Sequence, residues 1–178
     1  AAFILSSLLT IAMGIPLSYA GKDAERKLSR KDGYVIVTFA WIIFSIFGML
    51  PYYLSGYIPN LTNAFFETMS GFSTTGASIL DDIESLPHAL LFWRSMTQWI
   101  GGMGIVIFTI AVLPIFGVGG IQLFAAEATG PKIDKISPRI DVTAKWIWGI
   151  YIVLTITETI LLMLGGLSLF DSVCHAMS

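Results

Sequence analysis

Charge is what this sequence has least of. Asp, Glu, Lys and Arg make up only 12% of its 178 residues, against about 25% in soluble domains. The stretches 1–21 and 33–66 carry no charged side chain at all. Segments of that kind cannot be dispersed in water, so a soluble fold is excluded. The 55% share of hydrophobic residues and the mean hydropathy of +0.78 say the same. A lone cysteine, Cys174, excludes an internal disulfide. No basic stretch precedes the apolar run that starts at Ala1, so that run does not read as a signal peptide. The expectation is a chain that begins inside one membrane segment and stops inside another. The apolar segments also lack a convergent set of acids, bases or metal ligands, which argues against a membrane enzyme. His88, Cys174 and His175 are dispersed along the chain. No catalytic or cofactor-binding residue is assigned.

What is present is apolar length. Residues 1–21 are long enough to cross about 30 Å of hydrocarbon as a helix, with Pro16 expected to bend it near its end. Residues 22–32 form a short polar loop. As one helix, the uncharged stretch 33–66 would measure about 50 Å, more than a bilayer core, so two elements must share it. The break falls at Pro51 and at Ser55-Gly56-Tyr57-Ile58-Pro59-Asn60. A spanning helix over 33–54 and a short one over 61–73 are predicted, with Asn60, Thr62 or Asn63 as the cap. The short helix reaches only about 18 Å and is a re-entrant candidate. Another apolar helix is predicted over 88–115, with Gly101-Gly102-Met103-Gly104 inside it as a packing seam or hinge. Residues 33–115 read as a first pore repeat; a polar connection over 116–143 leads to a fourth span, interrupted by Glu158, which opens a second, truncated repeat over 144–178. Glu158 is expected to hydrogen-bond a threonine or a neighbouring helix.

The charges that do occur are sorted by loop. Lys22, Arg26, Lys27, Arg30 and Lys31 follow the first span, and Lys132, Lys135, Arg139 and Lys145 follow the third. Residues 55–87 hold no Lys or Arg but carry Glu67, Asp81, Asp82 and Glu84. By the positive-inside rule the loops 22–32 and 116–143 face the cytoplasm, and the acidic side faces out. Tyr52, Tyr53, Tyr57 and Trp93 then belong to the outer interface, and Tyr34, Trp146, Trp148 and Tyr151 to the inner one. Asp81, Asp82 and Glu84 read as a solvated loop or as a vestibule that concentrates cations. Arg94 is expected to snorkel outward or to pair with one of them.

Between the short helix and the next span lies Phe72-Ser73-Thr74-Thr75-Gly76-Ala77-Ser78. Hydroxylated residues and a glycine in succession suit neither helix nor strand, and Gly76 admits a positive φ. At membrane depth, irregular backbone is tolerated only inside protein or along a watery cavity. Carbonyls lining a narrow aqueous path replace the hydration shell of a cation, as in a potassium filter. Thr74, Thr75, Gly76 and Ala77 are therefore the candidate potassium ligands, through their backbone carbonyls. Glu67 and Ser78 are the candidate supports, Glu67 by hydrogen-bonding the filter backbone.

The pattern has an echo. Asn63-Ala64-Phe65-Phe66-Glu67-Thr68-Met69-Ser70 and Asp171-Ser172-Val173-Cys174-His175-Ala176-Met177-Ser178 are offset by 108 positions. Each reads polar, small, apolar, apolar, polar, small, Met, Ser, and each follows a predicted span. Internal repeats carry the architecture of many transport proteins. The expected fold is an all-α integral membrane protein made of potassium-channel-like repeats of helix, re-entrant pore helix and helix. It has about four spanning helices, one complete pore helix and one incomplete one.

Residues 66–78, followed by Trp93-Arg94-Ser95-Met96-Thr97-Gln98-Trp99-Ile100-Gly101-Gly102-Met103-Gly104, resemble the TrkH branch of the Trk/Ktr/HKT potassium transporters. Members are similar in design to a tetrameric potassium channel collapsed into one polypeptide with four pore repeats. The one glycine usual in each of their filters resembles Gly76. The resemblance implies multi-pass residence in the bacterial inner membrane, a homodimer, and a cytosolic nucleotide-binding regulatory subunit. It also implies a gating loop and an arginine in later repeats, distinct from Arg94. Potassium is then the transported ion rather than a catalytic cofactor, the lipid bilayer is the surroundings, and no nucleic-acid partner is expected. The implied function is potassium uptake by filter-selected permeation. The rivals are a channel subunit with a single pore unit and a membrane assembly subunit that transports nothing.

Overall fold

The computed structural model describes residues 1–22, 30–116 and 140–178. The basic clusters at 23–29 and 117–139 lie outside the described residues. The described residues are helical or irregular, with no strand among them. The order is α1 (Ala2–Ala20), α2 (Arg30–Gly48), α3 (Leu50–Ser55), α4 (Leu61–Phe72), α5 (His88–Phe116), α6 (Ile140–Leu164) and α7 (Leu169–Met177).

Among the described residues, three stretches are long and apolar enough to cross a membrane: Ala2–Ala20, Val35–Ser55 and Lys145–Leu164. The second contains the step from α2 to α3 at Met49. Pro51, at the start of α3, has no N–H to return to the preceding turn, which accounts for the interruption there. Helical bonds still bracket the step, from Met49 N to the Ser45 carbonyl and from Tyr53 N to the Met49 carbonyl. The two pieces therefore stack end to end. At 29 residues, α5 is about 43 Å long. By contrast α4 has 12 residues and reaches only about 18 Å.

Helix α4 sits between α2 and α5, while α7 packs on α6 and α5. The polarity of the interior is the reverse of a soluble domain's. Ser45, Glu67, Thr68, Ser70, Ser95, Thr97 and Ser172 are buried, while Ile152, Val153, Leu154, Ile156, Ile160 and Leu161 of α6 face outward. In a bilayer there is no hydrophobic drive to hide apolar side chains, and polar groups turn inward instead. A smaller apolar core of Met49, Tyr52, Ile58, Ala64, Leu86 and Leu90 ties α3, α4 and the segment leading into α5 together.

Two expectations are corrected here. Tyr52 does not sit at the outer interface; it is 1% exposed within that core, whereas Tyr53 and Tyr57 are exposed. It lies in the short α3, beside Pro51, and is buried in the same cluster as Ala64 and Leu90 rather than exposed to headgroups. Glu158 has no bond to a threonine or a neighbouring helix among the described residues and lies on the exposed side of α6. The adjacent Thr155 and Thr159 hydroxyls donate instead to the α6 carbonyls of Tyr151 and Thr155.

Candidate functional site

The site is built from the carboxyl end of α4 outward. Asn60 caps the start of α4, its side-chain oxygen accepting from the backbone N–H of Thr62 and Asn63 at 2.9 and 3.2 Å. At the other end the last turn closes tightly. Ser73 N donates to the Met69 carbonyl, Thr74 N to Gly71 and Thr75 N to Ser70. These bonds use up carbonyls that a helix end leaves without an internal partner. Beyond Phe72 the backbone leaves helical form, turns at Ser73 and Thr74 and runs irregularly from Thr75 through Ser78.

Two residues of this loop have positive φ: Thr74 at 55° and Gly76 at 73°. For a β-branched threonine that is a strained conformation, and strain of this kind clusters at functional sites. It is held by the Thr74 N–H bond to Gly71 and by the Thr74 hydroxyl on the Ser73 carbonyl at 2.7 Å. At Gly76 a Cβ would meet nothing within 4 Å. Glycine is therefore required there by the backbone angle, not by lack of room.

The loop is tied back to α4 at two points. The Ser70 hydroxyl donates to the Ala77 carbonyl. The Glu67 carboxylate accepts from Ser78 Oγ at 3.0 and 3.1 Å and from Ile79 N at 3.0 Å. The Ser78 oxygen in turn accepts from Leu80 N. Thr74, Thr75, Gly76 and Ala77 are exposed, while Ser78 is half-buried against these supports. At membrane depth, an exposed run of backbone would need water or an ion in front of it. Its carbonyl and hydroxyl oxygens are the hard ligands that alkali cations take, and the negative end of α4 lies beside them.

Arg94 corrects a further expectation. Its Nε is 2.9 Å from Glu67 Oε1, not beside Asp81, Asp82 or Glu84. Glu67 is 1% exposed and Arg94 14% exposed at the side chain. A buried carboxylate needs a charged partner, whereas Asp81, Asp82 and Glu84 are already solvated. The partners stand 27 residues apart in sequence, one on α4 and one on α5. Sequence reading missed the pair; the signal was the absence of any other cation in 33–116. It also missed that Glu84, His88, Arg94, Asp171, Cys174 and His175 border one cavity of about 530 Å³ between α5 and α7. No group of three or more His, Cys, Asp or Glu within reach of one metal ion occurs among the described residues.

The second half-helix follows the first in its start. Ser168 caps α7 by accepting from Asp171 N at 3.2 Å, and it stands 108 positions after Asn60. Its preceding helix, α6, is locked to α5 by aromatic contacts. Trp99 Nε1 donates to Thr155 Oγ1 at 3.0 Å, and Tyr151 donates to the Trp99 carbonyl at 3.2 Å. The Trp99 and Tyr151 rings stack at 5.3 Å.

A half-length capped helix that ends in a strained polar loop, held between two long helices and followed by a second short helix capped in the same way, defines an integral membrane protein of the pore-loop class. The chain belongs to the TrkH family, described as cation transport proteins, whose pattern matches residues 1–178. It is 43% identical over 180 residues to the Trk system potassium uptake protein TrkH of Escherichia coli (strain K12), covering 99% of this chain and 37% of that protein. It is 40% identical to the protein of the same name from Halomonas elongata, again over 99% of this chain and 37% of the relative. The crystal structure of the potassium transporter TrkH from Vibrio parahaemolyticus superposes with a TM-score of 0.83 at 33% identity, over 99% of this chain and 35% of that one. The chain thus spans little more than a third of the length of these relatives.

Proposed function

We propose that the protein containing this chain takes up potassium across the bacterial inner membrane by filter-selected permeation. Thr74, Thr75, Gly76 and Ala77 supply one quarter of a ring of backbone carbonyls, the Ala77 carbonyl through the lone pair that the Ser70 hydroxyl leaves free, and Glu67 and Ser78 brace it. The observation that carries this reading is the exposed loop with positive φ at Thr74 and Gly76, tied to a buried ion pair. Fixed carbonyls select among alkali cations because they replace hydration at a set distance and field strength. The relatives' names, potassium uptake proteins, point the same way. The cap shared by α4 and α7 favours several pore units in one polypeptide over a channel with one unit per chain. The same reading puts loops 22–32 and 116–143 in the cytoplasm and the filter entrance outside. Its partners are a second copy and a cytosolic nucleotide-binding regulatory subunit.

The test is flux through the full-length protein in liposomes loaded with potassium. Release of the potassium gradient, competed by rubidium more strongly than by sodium, is expected. Liposomes that hold their gradient with the protein inserted would contradict the reading and favour an assembly subunit.

A further inference from the structure

Residues Arg94, Thr97 and Gly101 of α5 lie at i, i+3 and i+7, on one face of that helix. Arg94 holds Glu67, as described. Thr97, 1% exposed, stands against Gly71. A Cβ on Gly71 would collide with the Thr97 hydroxyl and lie 3.2 Å from its Cβ. One turn on, the backbone of Phe72 lies directly on Gly101. A Cβ there would strike the Phe72 carbonyl oxygen and lie 2.7 Å from its carbon and 2.9 Å from its Cα. All three obstacles are main chain and cannot rotate away. Gly102 is different: its Cβ would meet the Tyr151 hydroxyl, the end of a side chain, at 2.9 Å.

Phe72 is the last residue of α4, and the strained Thr74 follows two positions later. Whatever displaces Phe72 therefore displaces the start of the loop. From the far side, Gly48 of α2 approaches the Phe72 ring and Thr68 so closely that a Cβ would lie 2.7 and 2.8 Å from them. Helix α4 has no room to retreat. We infer that Gly101 is a positioning residue for ion selectivity: the bare backbone of α5 at this level sets where the pore helix ends and hence where the loop carbonyls stand. This inference rests on the filter reading above. It assigns to the glycine seam of α5 a seat for the filter rather than a hinge.

The test compares rubidium and sodium flux through the full-length protein in liposomes. Gly101→Ala is expected to insert and conduct with a rubidium-to-sodium ratio several-fold below wild type. Gly149→Ala, whose Cβ meets nothing within 4 Å, is expected to match wild type. If Gly101→Ala fails to accumulate, Gly71→Ala replaces it. Its ratio should fall, and adding Thr97→Ala, which removes the colliding hydroxyl, should bring the ratio back toward wild type. A wild-type ratio in Gly101→Ala, or a Gly71→Ala defect that Thr97→Ala does not relieve, overturns the inference while leaving the filter reading standing. Absence of flux in the wild-type protein overturns both.

Discussion

At the scale of single residues, Glu67 is the most heavily engaged side chain of the site. Its two oxygens accept from Ser78, Ile79 and Arg94. Removing one partner of a buried ion pair leaves the other charge uncompensated, at about 3–5 kcal/mol. Glu67→Ala is therefore expected to lower the thermal unfolding midpoint of the detergent-solubilised full-length protein strongly. Glu67→Gln alone retains an acceptor for Ile79 but leaves Arg94 unpaired, so it too should destabilise. The double variant Glu67→Gln/Arg94→Gln removes both charges and keeps hydrogen-bonding groups, and should lie closer to wild type than Glu67→Ala does. Penalties that simply add in the double variant would show that the two side chains act independently. The hydrogen bonding of Glu67 to the loop was open to reading in sequence because the residue stands one and a half turns before a polar loop. Arg94 was not, since nothing local links residues separated by the whole loop and a helical turn. That Gly76 admits a positive φ was legible; that the space around it is open was not, because a φ angle and a steric limit leave the same letter in a sequence.

At the scale of elements, the half-helix was legible from length and punctuation: an apolar run too short to span, between Pro59-Asn60 and the Ser/Thr/Gly loop. The step inside 33–54 was legible from Pro51. The burial of Tyr52 was not, because an aromatic near a helix end suits a core as well as a headgroup belt. The caps supply the prediction at this scale. Asn60→Ala should cost about 0.5–2 kcal/mol by leaving the first N–H groups of α4 without their acceptor, and Asn60→Asp should restore most of it. Unfolding midpoints of the two variants check this. Equal loss in both would mean that Asn60 matters for something other than capping. The lock between α5 and α6 is weaker: Tyr151→Phe removes one hydrogen bond while keeping the Trp99 stack, and about 1 kcal/mol is expected.

At the scale of the whole molecule, the division of charge between the loops predicts sidedness. Single cysteines at Lys27 and at Glu84, in a full-length protein with Cys174 and any other cysteine replaced, should label from opposite sides of the membrane. Labelling of both from one side would remove the re-entrant arrangement, since α4 and its loop would no longer open away from the basic segments.

The account depends most on one loop, and Gly76 addresses it directly. Its φ of 73° costs an L-residue roughly 1–2 kcal/mol, while the space around it is open. Gly76→Ser should therefore fold and insert, and on the proposed filter reading it should rotate one quarter of the carbonyl ring out of place. A change of about 1.4 kcal/mol in relative binding is a tenfold change in preference. The measurement is the ratio of potassium to sodium flux through full-length wild-type and Gly76→Ser protein in the same liposomes. The account predicts continued flux with a clearly lower ratio in the variant; an unchanged ratio would contradict it and place the selective element elsewhere.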